Sequence, residues 1–209
     1  YRSPERAAAY KQFHTSDHSW GRLVTYFEQR AIARELSRYN WSPSDRLLDI
    51  PCGTGILGGI LHRFPLKVLA SDISLQMMAL CRGDYPADRF DGCVQADITS
   101  TPFPQESFSC VITLGFFHRV PSEIRRKALR EIAALSTRVV ILTCSVDTAV
   151  QRIKQAILTR IKPNHAPAPC PVPLREMIAD CRSLGLRLAR SYMVVPVLSA
   201  HAILVLEKQ

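Results

Sequence analysis

The chain has 209 residues, 47% of them hydrophobic and 22% charged, with a formal net charge of +9. That is enough for one domain with a sizeable core in an ordinary globular balance, and no apolar run reaches the ~20 residues a bilayer span needs. The positive balance admits nucleic acid, an anionic membrane surface or an acidic substrate as partner. The basic residues are dispersed, however, with Arg125, Arg126, Lys127 and Arg130 in one helical stretch and Arg152, Lys154, Arg160 and Lys162 in another. They lack the aromatic interleaving that tracks a nucleic-acid strand.

Ser3-Pro4-Glu5 combines a capping hydroxyl, a first-turn proline and an acid near the positive end of the dipole, which predicts a short helix to about Phe13. A loop over 14–18 leads to a longer helix with Leu23, Phe27, Ala31, Ile32 and Leu36 on its apolar face. Trp41-Ser42-Pro43-Ser44-Asp45 breaks it. From Arg46 the pattern alternates: a strand to Ile50, a helix from Gly55 to Phe64, a strand from Lys67 to Ser71, a helix from Ser74 to Arg82 and a strand from Gly92 to Ala96. A strand from Ser109 to Leu114, a helix from Pro121 to about Leu135 and a strand from Arg138 to Thr143 follow. Such alternation predicts an α/β fold, a doubly wound parallel sheet with helices on both faces and a ligand over the carboxyl ends of its strands.

Asp147 to Lys162 reads as a basic amphipathic helix with Val150, Ile153, Ile157 and Ile161 at helical spacing. This apolar stripe is expected to dock on the sheet; covering an amphiphilic acceptor or a membrane surface is the alternative. The segment Pro163 to Pro173 is too rich in proline for helix or inner strand. A helix from Leu174 to Leu184 precedes two apolar runs, Arg187 to Val197 and Ala202 to Leu206, which read as an antiparallel hairpin closing the sheet. Seven cysteines without a Cys-x-x-Cys pair fall mostly in apolar patterns. They read as buried thiols of a reducing compartment, so a cytoplasmic location is expected. The chain opens without Met and without a basic-then-apolar signal segment; it is compatible with a piece of a longer protein.

The strongest local signal is Leu47-Leu48-Asp49-Ile50-Pro51-Cys52-Gly53-Thr54-Gly55, an apolar strand that ends in an acid and enters a glycine turn. The turn is expected to leave backbone N–H groups unpaired at the start of the next helix. A second strand, Val68-Leu69-Ala70-Ser71, ends in Asp72 about 20 residues on, where dinucleotide-type folds carry a ribose-binding carboxylate. Together with Ala96-Asp97-Ile98 after the third strand, these residues resemble the class I S-adenosylmethionine-dependent methyltransferases of broad small-molecule type, over roughly Asp45 to Ser145. The resemblance implies a Rossmann-like seven-stranded sheet, mostly parallel with an antiparallel C-terminal strand. It also implies a helical lid over 1–45, a cofactor-binding core over 46–145, a substrate-cover insertion over 146–173 and a closing helix and hairpin over 174–209. One departure is Pro51, which stands where the family's loop carries its first glycine and cannot supply an N–H.

By the same resemblance the cofactor is S-adenosylmethionine. Asp49, Pro51, Cys52, Gly53 and Gly55 would flank its amino-acid and sulfonium end, Asp72 its ribose and Asp97 its adenine amino group. Ile73 and Ile98 would cover the two faces of the ring, with Gly115 letting the backbone approach. Asp72 as a helix cap and Asp97 as a turn residue are the structural alternatives. Methyl transfer from a sulfonium needs alignment more than catalytic groups. His118 at the fourth-strand exit is the candidate general base, or else a loop anchor. Tyr10, His14, Arg22 and Phe117 are candidates for contacting substrate or forming the lid. His14 and His18 have metal-compatible spacing, but no third ligand lies near in sequence, and no metal is expected. A small-molecule O or N acceptor is the primary expectation. An RNA methyltransferase and a non-catalytic cofactor-binding module of a longer protein are the alternatives.

Overall fold

The chain opens with α1 (Pro4–Thr15) and α2 (Trp20–Leu36) and then alternates through β1 (Arg46–Asp49), α3 (Gly58–Leu61), β2 (Lys67–Asp72), α4 (Leu75–Met78), β3 (Phe90–Gln95) and β4 (Phe108–Thr113). It continues through α5 (Ser122–Leu135), β5 (Ser136–Ser145), α6 (Ala149–Ile161), α7 (Leu174–Ser183), β6 (Leu186–Met193) and β7 (His201–Lys208). The structure, a computed structural model, describes residues 3–17, 19–147, 149–161, 170–194 and 200–209. His18 and most of the proline-rich segment lie outside the described residues, as does the end of the expected Arg187–Val197 strand.

The strands form one sheet in the order β3-β2-β1-β4-β5-β7-β6. The first five are parallel, and β7 runs antiparallel to both β5 and β6. The chain reverses its direction of travel between β1 and β4, which opens a crevice above their carboxyl ends. Strand alternation divides the core into two layers. Leu48, Val111, Val140 and Leu204 pack on one face with Ala128, Leu129 and Ile132 of α5 and Met177 and Cys181 of α7. Leu47, Val68, Ile112 and Ile141 pack on the other with Ile32, Ala33 and Leu36 of α2 and Ile60 and Leu61 of α3. Burying a side chain of this size contributes about 1.5–3 kcal/mol, so both layers hold the sheet rigid beneath the crevice.

Two predicted helices are much shorter than their apolar patterns suggest. Between Gly53 and Leu57 the chain makes turns, with Gly55 N bonded to Cys52 O and Gly58 N to Gly55 O, and α3 begins only at Gly58. Gly53 and Gly55 take φ of +54° and +82°, which a helix does not accommodate. The Ser74–Arg82 helix is reduced to the single turn of α4, capped by the Ser74 hydroxyl on Met77 N, followed by tight turns to Asp84.

The first 36 residues divide in their packing. The second half of α2 belongs to the core. It is tied to the far edge of the sheet by Glu35 to Arg190 and by Ala31 O, which accepts from Tyr192 Oη at 3.2 Å. In α1 only Ala7 is buried, and polar bonds hold the helix: Lys11 Nζ donates to Leu80 O at 2.6 Å and to Asp84 Oδ2 at 2.7 Å. The expected docking of α6 on the sheet is not observed. Ile153, Ile157 and Ile161 are 62%, 52% and 68% exposed, on a helix that begins at Ala149, past the end of β5 at Ser145. Among the described residues no helix is long and apolar enough to cross a membrane, and all seven cysteines are unpaired thiols.

Candidate active site

A cavity of about 340 Å³ lies over the carboxyl ends of the strands, roofed by α1 and the first half of α2. Of the residues singled out from the sequence, Asp49, Pro51, Cys52, Gly53, Asp72, Ile73, Asp97, Ile98, Gly115, Tyr10 and His14 line it. Gly55, Arg22, His118 and Phe117 do not.

At one end of the cavity three acids descend from adjacent strands. Asp49 ends β1 and is almost fully buried; its Oδ2 accepts from Tyr85 Oη at 2.6 Å, and its Oδ1 has no partner among the described residues. Burial raises its pKa to about 8, against the Tyr85 hydrogen bond and with a smaller push from the Cys81 and Asp72 charges. Asp72 ends β2 and ties the two loops together, accepting from Gly53 N at 2.9 Å and from Ser74 N at 2.8 Å. Burial raises its pKa too, opposed by those backbone hydrogen bonds. Asp97 follows β3, and its Oδ1 accepts from both the N and the Oγ1 of Thr99 at 2.8 Å. Between these acids Ile73 is 61% exposed and Ile98 buried.

The glycine turn is satisfied from within. Cys52 N donates to Ser71 O, Gly53 N to Asp72 and Gly55 N to Cys52 O. The expectation of unpaired amides at a helix start therefore fails for these three, since α3 begins further on. Gly53 and Gly115 leave space through their missing side chains. A Cβ on Gly53 would meet only Met77 Cε, at 3.5 Å, and one on Gly115 would enter open space, both at positive φ. Gly55 acts below the cavity, where an added Cβ would lie 2.9 Å from the Cys81 backbone. Behind the turn, Cys81 Sγ and Cys93 Sγ are 3.4 Å apart.

The opposite end carries a group that sequence reasoning missed in large part. His14 Nδ1 meets Thr25 Oγ1 at 2.8 Å, and His201 Nδ1 meets Glu28 Oε1 at 2.9 Å. Thr25, Glu28, His201 and Arg119 all line the cavity. Arg119 Nε donates to Gly115 O at 2.8 Å. Burial lowers the His14 pKa to about 4, with Arg119 and His201 lowering it further against the pull of Glu28.

At the fourth-strand exit the expected residues and the lining residues are offset by one. Residues 117–119 form a 3-10 turn closed by Arg119 N on Phe116 O, and residues three apart share a face of such a turn. Phe116 and Arg119 therefore face the cavity, while Phe117 is fully buried in the core and His118 is 4% exposed. Burial first, then His201 and Arg119, push the His118 pKa down to about 3. Arg22 sits on the outer surface, paired with Asp17. Among the described residues no group of three or more His, Cys, Asp or Glu is arranged to hold a metal.

The strand order, with β7 antiparallel between β5 and β6, and the crevice at the β1–β4 reversal give the chain a Rossmann-like fold of the methyltransferase type. Residues 48–138 match the family described as a methyltransferase domain, which bears out the resemblance read from the sequence. No curated protein matches the chain by sequence. Among solved structures, magnesium protoporphyrin IX methyltransferase from Synechocystis PCC 6803, with bound S-adenosylhomocysteine, superposes with a TM-score of 0.81 at 15% identity, over 98% of this chain and 95% of that one. A TehB-like S-adenosylmethionine-dependent methyltransferase from Corynebacterium glutamicum gives 0.65 at 15% identity, over 99% and 100%. A third, from Thermotoga maritima, gives 0.66 at 14% identity, over 99% and 97%. At these identities the likeness is one of fold.

Proposed function

We propose that this chain is an S-adenosylmethionine-dependent methyltransferase acting on a small-molecule O or N acceptor. The observation that carries the reading is Asp49. Asp49 lines the cavity, and its Oδ1 is a buried carboxyl oxygen with no partner among the described residues. A buried polar atom left unpaired costs about 1–3 kcal/mol, and a cationic donor in the cavity removes that cost. The amino-acid and sulfonium end of S-adenosylmethionine is such a donor. The remaining lining fits the rest of the molecule. Asp72 keeps lone pairs for ribose hydroxyls beyond its two amide bonds, Asp97 has a second oxygen for the adenine amino group, and Ile73 and Ile98 offer apolar faces to the ring. Gly53 and Gly115 leave the cavity floor open.

When bound, the cofactor supplies a methyl carbon on a positively charged sulfur, already a good leaving group. The protein's part is then to hold the donor at the acid-lined end, exclude water with α1 and α2, and align an acceptor from the end bearing His14, Glu28, Arg119 and His201. Domain roles follow the same reading, with 46–145 as the binding core, 1–45 as the roof and 146–173 as a substrate cover.

Calorimetry with S-adenosylmethionine and with NADH tests the donor. Saturable binding of the first and none of the second is expected, and the reverse result would overturn the assignment. Labelled methyl donor incubated with cell-extract fractions tests the acceptor. Label in nuclease-resistant small molecules is expected; label confined to RNA would replace the small-molecule reading.

A further inference from the structure

The exposed large apolar side chains among the described residues all belong to elements at the carboxyl ends of the strands. Four lie on α1 and α2, Ile73 and Leu75 follow β2, and Ile153, Ile157 and Ile161 lie on α6. The helices that cover the faces of the sheet, α3, α5 and α7, expose none. We propose that α6 docks this chain on the surface of an anionic lipid bilayer, with its isoleucines at the boundary between headgroups and acyl chains. This adds a lipid contact to the segment proposed above as a substrate cover, and it stands independently of the methyl chemistry.

Isoleucines at 153, 157 and 161 recur every four residues and so share one face of the helix. Ala156 beside them is exposed as well. The base of the helix is fixed to the sheet. Val146 and Val172 form a bridge, Asp147 N donates to Val172 O at 3.0 Å, and Val172 N donates to Ser145 O at 2.8 Å. Cys170 N donates to His118 O at 3.0 Å. The excursion that carries α6 therefore leaves and rejoins the sheet at one point, beside the turn that bears the cavity-lining Phe116 and Arg119.

Charge indicates what covers the stripe. From Thr148 to Arg175 the sequence contains no Asp or Glu, while it contains Arg152, Lys154, Arg160 and Lys162. Arg152 and Arg160 are exposed, and Arg152 reaches the Asp147 carboxylate at 3.2 Å. A second copy of the chain seated stripe to stripe would set these like charges against one another. Nucleic acid would answer the cations, but it is gripped through basic groups and stacking aromatics, and the isoleucines would stay wet. An anionic bilayer answers both features at once. Its phosphates meet the cations, and its acyl chains take the isoleucines.

Three measurements on the full chain test this. First, phosphatidylcholine vesicles containing ~30% phosphatidylglycerol should sediment the protein at least ~10-fold more strongly than vesicles of phosphatidylcholine alone, and added salt should weaken the binding. No binding to the anionic vesicles, or equal binding to both, would overturn the proposal. Second, the combined variant Ile153→Ser, Ile157→Ser and Ile161→Ser should bind anionic vesicles at least ~10-fold more weakly and keep its Tm within ~2 °C of wild type. The three corresponding Leu substitutions should bind as wild type does. Undiminished binding by the Ser variant would overturn the proposal, and so would a large fall in its Tm, which would show the stripe packed on the protein itself. Third, sedimentation velocity without lipid should show no self-association that the Ser variant abolishes. A dimer lost in that variant would put a second copy on the stripe in place of the bilayer. Calorimetry with S-adenosylmethionine reads the donor site separately, so failure of lipid docking leaves the methyltransferase reading standing.

Discussion

At the β1–β3 end of the cavity the polar atoms come from the tips of adjacent strands, each acid one strand away from the next; Asp72 is fixed by Gly53 N and Ser74 N and Asp97 by Thr99 N, while Asp49 is held by the Tyr85 hydroxyl. At the other end they come from α1, α2, the turn after β4 and the start of β7, and they are fixed by one another's side chains: His14 on Thr25, His201 on Glu28. Backbone-anchored groups tolerate little change, because each carries part of the loop structure. Side-chain pairs can be altered one atom at a time without disturbing the sheet. The first end suits an invariant ligand, and the second suits whatever varies.

The largest expected effect tests the rigid end. Asp72→Ala removes the acceptor for two loop amides and should cost about 3 kcal/mol of cofactor binding, at least a 100-fold loss by calorimetry, with a lower Tm. A variant that still binds within tenfold would erase the distinction between the two ends. Asp49→Asn tests the electrostatics by sign. The folded pKa of about 8 lies above the unfolded value of about 3.9. Between those values the folded state holds a proton the unfolded state has released, so stability falls as pH rises from about 4 to about 8. Urea unfolding should show that decline in wild type and lose its Asp49 component in the variant, which also binds the cationic ligand more weakly. Ligand binding to wild type at pH 7 should release a proton, measurable in buffers of different ionisation enthalpy.

Gly115→Val places a β-branched side chain at φ +62° in open cavity space. It should cost about 1–3 kcal/mol of stability and weaken donor binding as well. Smallest is Lys11→Ala, which breaks a bridge to Asp84 that is about one-third exposed on both sides. It should lower stability by less than ~1 kcal/mol and leave donor affinity intact.

The contrast between the ends also explains what the sequence disclosed. The acid at each strand end, the positions of the strands and the reversed last strand follow from local runs whose period and punctuation are visible within ten residues. The helices at 55–64 and 74–82 were misjudged because apolar composition does not reveal that Gly55 must fit against the Cys81 backbone at positive φ. At the fourth-strand exit, the segment Phe116 to Arg119 was recognised, but the choice of which two residues face the ligand depends on a 3-10 turn rather than a continued strand. The Glu28–His201 pair, 173 residues apart, left almost no local trace. A His opening a strand beside a closing hairpin was its only sequence signal, and that becomes informative only once β7 is known to sit against β5.

The thin attachment of α1 has a consequence for the roof of the cavity. With Ala7 as its one buried residue, the Lys11 bonds to Leu80 and Asp84 and the Phe13 ring set on Gly21 of α2, this helix contributes to neither hydrophobic layer, whereas α2 is rooted in one of them. The roof of the cavity is therefore held most weakly at α1, and amides of residues 4–15 should exchange with deuterium well before those of 31–36.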